Sequence, residues 1–123
     1  MRKLHQLVFD DFVVSGTTVY TRTDLNDILG QVDQVAIQMI VDQVTTNGTA
    51  SAQIQHSADQ IQWAAKNGTA EINAGTISTN ATKVLFGSDA GSTPSLGYVR
   101  LAISIATSAQ AHIKIWVTGR NQG

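Results

Sequence analysis

Two stretches near the end of the sequence alternate without a break. From Tyr98 to Thr107, Val99, Leu101, Ile103 and Ile105 fall on one side, and Arg100, Ala102, Ser104 and Ala106 on the other. From Ala111 to Thr118, Ala111, Ile113, Ile115 and Val117 make an apolar side, and His112, Lys114, Trp116 and Thr118 the opposite one. Successive side chains of a β-strand point to opposite faces, whereas a helix repeats every three to four residues. A period of two therefore predicts two strands, each with one buried face, and excludes a helix across 98–118. The short polar stretch near Ser108–Gln110 predicts a β-hairpin joining them. Matching the apolar sides pairs Ile105 with Ile113, Ile103 with Ile115, and Leu101 with Val117.

The same reading extends along the chain. Residues 34–44 place Val35, Ile37, Met39 and Val41 toward a core, and Thr45-Thr46-Asn47-Gly48 then breaks the run with a strong turn signal. In 49–56, Ala50, Ala52, Ile54 and His56 share a face. Ser57-Ala58-Asp59-Gln60 reads as a turn, and the return strand 61–65 puts Ile61, Trp63 and Ala65 on the same side. Asn67-Gly68 ends that strand. Weaker strands are predicted at 69–73, 75–79 and 82–86, with Val84 and Phe86 facing inward. Residues 4–14 and 17–23 read as strands around Ser15-Gly16. Asp24 as an N-cap and Gly30 as a left-handed stop predict one helical turn over 24–30. The longest irregular stretch, Gly87 to Gly97, holds the only proline. The expected class is all-β: an antiparallel β-sandwich, jelly-roll-like, with eight or nine short strands and at most one helical turn near 24–30. Its length of 123 residues suits a single domain over 1–123.

Composition excludes several functions. Thr, Gln, Ser and Asn supply 40 of the 123 residues, whereas Glu occurs once, at Glu71. A charged fraction of 14% and a net charge of −1 leave no basic stripe, so nucleic acid is not an expected partner. Without Cys there is no disulfide, thiolate nucleophile or zinc knuckle. The apolar runs are too short to span a membrane as a helix. Met1-Arg2-Lys3 resembles a signal n-region, but the following residues provide no apolar segment, so the expectation is synthesis and retention in the cytoplasm, or export by a route that the sequence does not show.

No catalytic, cofactor or metal site is expected. His5, His56 and His112 lie in three different strands, and none has metal-motif spacing to a carboxylate. A structural role suits His56, beside Ile54, better than ligation. Glu71 and the Asp residues do not suggest a carboxylate pair, because Asp10, Asp11, Asp24, Asp27, Asp59 and Asp89 fall at turns or strand ends. Neither Asp24 with Asp27 nor Asp89 near Gly91 fits a calcium loop. No Ser sits in a nucleophile elbow. Trp63 reads as a core residue. Trp116 does not, since it shares a face with His112 and Lys114 and lies near Arg100 in the expected hairpin. Arg100, His112, Lys114 and Trp116 thus form a candidate protein interface, a Trp among cations being typical of an interface anchor. Cover of Trp116 by a loop or by the N-terminal strand is the alternative on an equal footing, and a sugar-stacking platform is a third.

The run Gln55-His56-Ser57-Ala58-Asp59-Gln60-Ile61-Gln62-Trp63 resembles the Q-H-S-x-D-G-x-x-W hairpin of small β-sandwich virion accessory and capsid-decoration proteins of tailed phages and prophages. Here Gln60 stands where that pattern has Gly. The segments Tyr98–Ile105 and Ala111–Arg120 are similar to the closing strands of the same proteins, and the likeness spans roughly residues 32–120. It implies a non-enzymatic virion structural protein, made in the host cytoplasm, that decorates or cements a capsid as a homo-oligomer. The implied partners are the major capsid protein or another virion protein and copies of the chain itself, as a trimer. A carbohydrate-binding sandwich module, on a phage fibre or a cell surface, is the alternative.

Overall fold

A computed structural model describes residues 3–21, 34–89, 98–106 and 110–120. They form nine strands: β1 (Lys3–Val14), β2 (Val19–Tyr20), β3 (Gln34–Asp42), β4 (Gly48–Ser57), β5 (Ala64–Ala65), β6 (Ile72–Ile77), β7 (Lys83–Asp89), β8 (Tyr98–Ala106) and β9 (Gln110–Arg120). One sheet has four strands in the order β1-β9-β3-β7. The other has five, in the order β2-β8-β4-β5, with β6 on the same edge of β4 as β5. All pairings are antiparallel. Apart from the β4-β5-β6 run, each strand lies in the other sheet from its predecessor, which is the connectivity of a jelly roll. The expected sandwich is therefore observed. The helical turn expected over 24–30 and most of the 87–97 loop lie outside the described residues.

The expected hairpin is not observed. β8 pairs with β2 and β4, and β9 pairs with β1 and β3. Val99, Leu101, Ile103 and Ile105 do face the core, as do Ala111, Ile113, Ile115 and Val117, but from opposite sheets. Alternation determines which face of a strand is buried and says nothing about its hydrogen-bonded neighbour. Here the two apolar faces meet across the sandwich instead of lying side by side.

Val84 and Phe86 also depart from expectation. Leu85 is the residue of that run that packs on the core, while Val84 and Phe86 are 40% and 70% exposed. The phase is set by Gly87. A Cβ there would lie 2.4 Å from the Glu71 carbonyl oxygen, so only glycine lets β7 approach the start of β6 this closely. The weak strands 69–73 and 75–79 merge into β6, which is irregular opposite Ala50 and Ala52, where Ala74 adopts φ 52°.

The single Glu serves the backbone. Between the stretches of β4 that pair with β5 and β6, Glu71 Oε1 accepts the Ile54 N–H at 2.6 Å, and the Ile54 carbonyl accepts Lys66 N–H at 2.9 Å. Glu71 thereby satisfies an edge donor that no strand reaches. Nearby, Lys66 Nζ and Asp89 Oδ2 lie 2.5 Å apart with both side chains buried, tying the end of β5 to the end of β7 in the opposite sheet.

Candidate functional site

The hairpin from Gln55 to Trp63 closes as a side-chain-built turn. Ser57 is fully buried, and its Oγ accepts the N–H groups of Asp59 and Gln60 at 3.2 and 2.9 Å. Asp59 Oδ1 in turn accepts the Ser57 hydroxyl and the N–H groups of Ile61 and Gln62, each at 2.9 Å. Gln60, at the position where the resembled pattern has Gly, takes φ 63°, a left-handed conformation that glycine adopts without cost. The turn consumes the predicted strand 61–65 except for Ala64–Ala65. Alternation is broken there, so Ile61 is 80% exposed and Trp63 is half-buried instead of filling the core.

Trp63 packs on Arg100. The guanidinium carbon of Arg100 lies 4.1 Å from the Trp63 ring centroid and 3.8 Å from that of Tyr20. Gln55, directly across from Arg100 in the β4–β8 register, accepts its Nε at 2.8 Å, and Gln55 Nε2 donates to Gln53 Oε1 at 2.9 Å. Tyr20 comes from β2, opposite Ala102 on β8, and is 47% exposed. The outer face of the five-stranded sheet thus presents two aromatic rings around one cation, beside the uncharged Ser51, Gln53, Gln55 and Ser104. Such a face can stack on the apolar side of a ring and hydrogen-bond its substituents. Burial pushes the Arg100 guanidinium below its ordinary value, and the Tyr20 hydroxyl opposes that shift.

The Asp59 carboxyl is held below its usual 3.8 by the Gln62 and Ile61 amides, then by the Ser57 hydroxyl. A carboxyl depressed on folding adds stability above its unfolded value and loses it as pH falls through the folded one. Asp59→Ala should therefore lower the urea midpoint at neutral pH. The gap from wild type should close as pH drops below 3.8. Urea titrations across that range check both, and a gap independent of pH would refute the turn chemistry.

The four residues expected to share a face do not. Arg100 is on the outer face of the five-stranded sheet, while His112, Lys114 and Trp116 are on that of the four-stranded sheet. The separation follows from placing β8 and β9 in different sheets. His112 is held between carboxylates, with Nε2 2.6 Å from Asp10 and Nδ1 3.0 Å from Asp42, and its ring meets Phe12 at 5.2 Å. Trp116 stacks on His5, with ring centroids 4.9 Å apart and an interplanar angle of 9°. The N-terminal strand therefore partly covers Trp116. His56 lies half-buried on the inner face of β4, opposite Val99. Among the described residues, no group of three or more His, Asp and Glu could hold a metal ion.

The sandwich is similar to a solved structure, the CBM22-1 xylan-binding domain of Xyn10C from Paenibacillus barcinonensis. The two superpose with a TM-score of 0.59 over 100% of both chains, at 12% sequence identity. At that identity the likeness establishes a shared fold. No protein-family model matches the sequence, and no curated protein matches it.

Before folding, the platform leaves two traces in the sequence: Gln55 and Trp63 flanking one turn, and an isolated Arg in an otherwise small or apolar strand. Neither is diagnostic, because Arg100 meets Gln55 only through the β4–β8 register, and Tyr20 reaches it from the far side of β8.

Proposed function

We propose that this chain is a non-catalytic carbohydrate-binding β-sandwich module that takes a polysaccharide on the Tyr20–Arg100–Trp63 platform. The carrying observation is the pair of aromatic rings bracketing Arg100 on a sheet face of Gln and Ser side chains. Rings offer apolar area to the C–H face of a sugar, and amides and hydroxyls match its hydroxyl groups. The shared fold with a domain described as xylan-binding agrees with this reading. Affinity electrophoresis through gels carrying xylan, glucuronoxylan, polygalacturonate, alginate or mannan tests it. Retarded migration in at least one gel is expected, and unchanged mobility in all of them would overturn the reading.

The opposite face favours a second reading, a virion structural protein that coats a capsid as an oligomer of itself. On the outer face of the four-stranded sheet, Phe12, Val14, Val84 and Phe86 are between 40% and 70% exposed, alongside His112, Lys114 and Trp116. An exposed apolar group of this kind marks a contact surface. A second copy of the chain is the occupant we favour. The face carries Lys114 together with Asp10 and Asp42, so a copy turned head to tail can oppose unlike charges, and a net charge of −1 adds little repulsion. Sedimentation velocity should show a wild-type oligomer that Phe86→Ser dissociates. A wild-type monomer at every concentration would reject self-association, and binding to purified capsids by that monomer would assign the face to a capsid protein.

A further inference from the structure

We propose that the platform selects acidic polysaccharides, with Arg100 receiving the carboxylate of a uronic acid residue. This rests on the carbohydrate reading and names the ligand class of the same site. The argument starts from charge. Each carboxylate among the described residues is engaged away from Arg100. Asp10 and Asp42 hold His112, Asp11 accepts the Phe12 N–H, Asp59 closes its turn, Glu71 serves Ile54 and Asn67, and Asp89 pairs with Lys66. Arg100 has instead a neutral amide on Nε and its guanidinium carbon over two rings, 3.8 Å from the Tyr20 centroid and 4.1 Å from that of Trp63.

A guanidinium placed this way is partly desolvated and lacks a counter-charge among the described residues. Its Nη1 and Nη2 groups donate to none of those residues, which leaves a parallel pair of N–H donors matched to a carboxylate. The two rings and the Gln55 amide confine the guanidinium, so little side-chain entropy is lost when an anion docks. Tyr20, about half exposed, remains able to stack on the sugar that carries the carboxylate. A neutral glycan could use the rings and amides but would leave the two Nη donors without an ionic acceptor.

The test compares native glucuronoxylan, polygalacturonate and alginate with their carboxyl-reduced forms, in which each carboxylate becomes a primary alcohol on an otherwise unchanged chain. Affinities come from titration calorimetry at low and high salt. The wild-type protein should bind at least one native acidic polymer roughly tenfold or more tighter than its reduced partner, and salt should narrow the difference. Arg100→Gln should bind both forms alike. Arg100→Lys keeps the charge without the fork and should retain only part of the preference. Equal wild-type affinity for native and reduced forms, or binding confined to neutral mannan or arabinoxylan, would overturn the acidic preference while the carbohydrate reading stands. Absence of binding to every polymer would overturn both. Near-UV circular dichroism of each variant shows whether a loss reflects unfolding, and the wild-type comparison decides the proposal without any variant.

Discussion

Replacing Lys66 with Ala is expected to destabilise the fold by about 3–5 kcal/mol, the range for removing one partner from a buried ion pair. Lys66 and Asp89 are both buried, with side-chain exposures of 6% and 5%, and their charged atoms lie 2.5 Å apart. Deleting the ammonium removes the Lys66 half of the pair beside a carboxylate that is only 5% exposed. Much of the loss reflects the cost of keeping that charge in a poorly solvated place and not the attraction itself. The double variant Lys66→Met with Asp89→Leu should therefore recover most of the stability, since apolar groups of similar size often replace a buried pair at little cost. Urea titrations of wild type, Lys66→Met, Asp89→Leu and the double variant form a complete cycle. Single variants within about 1 kcal/mol of wild type would mean that the pair behaves as a solvated surface contact.

Trp63→Ala should cost roughly 2 kcal/mol of glycan affinity, about thirtyfold, as truncation of a central aromatic anchor does. The Trp63 ring lies under the Arg100 guanidinium carbon, 4.1 Å from centroid to carbon, and follows a turn fixed by Ser57 and Asp59. Its removal opens the guanidinium to water on that side and gives the Arg100 side chain more freedom. Because Trp63 is half-buried on the outer face instead of central to the core, the variant should stay folded. Calorimetric titration with the tightest polysaccharide from the electrophoretic panel measures the loss, and a urea midpoint verifies folding. Undiminished affinity in a folded variant would remove Trp63 from the site.

Fold class was legible because its signal is local. The inward sides of β3, β8 and β9 follow directly from period-two alternation, and the Ser57–Asp59 turn follows from side chains that bond their own backbone. What alternation lacks is phase within an all-apolar run and identity of neighbours. Val84, Leu85 and Phe86 are all apolar, so the sequence pattern allows either register. The choice is made by Gly87 packing against the Glu71 carbonyl, a contact 16 residues away by numbering. The partnership of β8 and β9 failed for the second reason. The platform was hidden by both: a turn that shifted Trp63 out of phase, and three strands that converge on Arg100 only once the five-stranded sheet exists. The Lys66–Asp89 pair left no sequence trace, since a lysine beside an Asn-Gly turn reads as a solvated loop residue.

The placement of β9 between β1 and β3 bears on how the molecule is made. Synthesis runs from β1 toward β9, so the four-stranded sheet lacks one of its two inner strands until residues 110–120 have left the ribosome. Until then β1 and β3 each expose an unpaired edge, the condition under which strands recruit wrong neighbours. Closure joins positions far apart in the chain, from Lys3 with Arg120 to Val14 with Gln110, so loop entropy must be overcome before these contacts contribute. Completion of the four-stranded sheet therefore waits on the last of the nine strands in chain order. A nascent chain that stalls short of β9 leaves β1 without its strand partner and β3 paired with β7 alone.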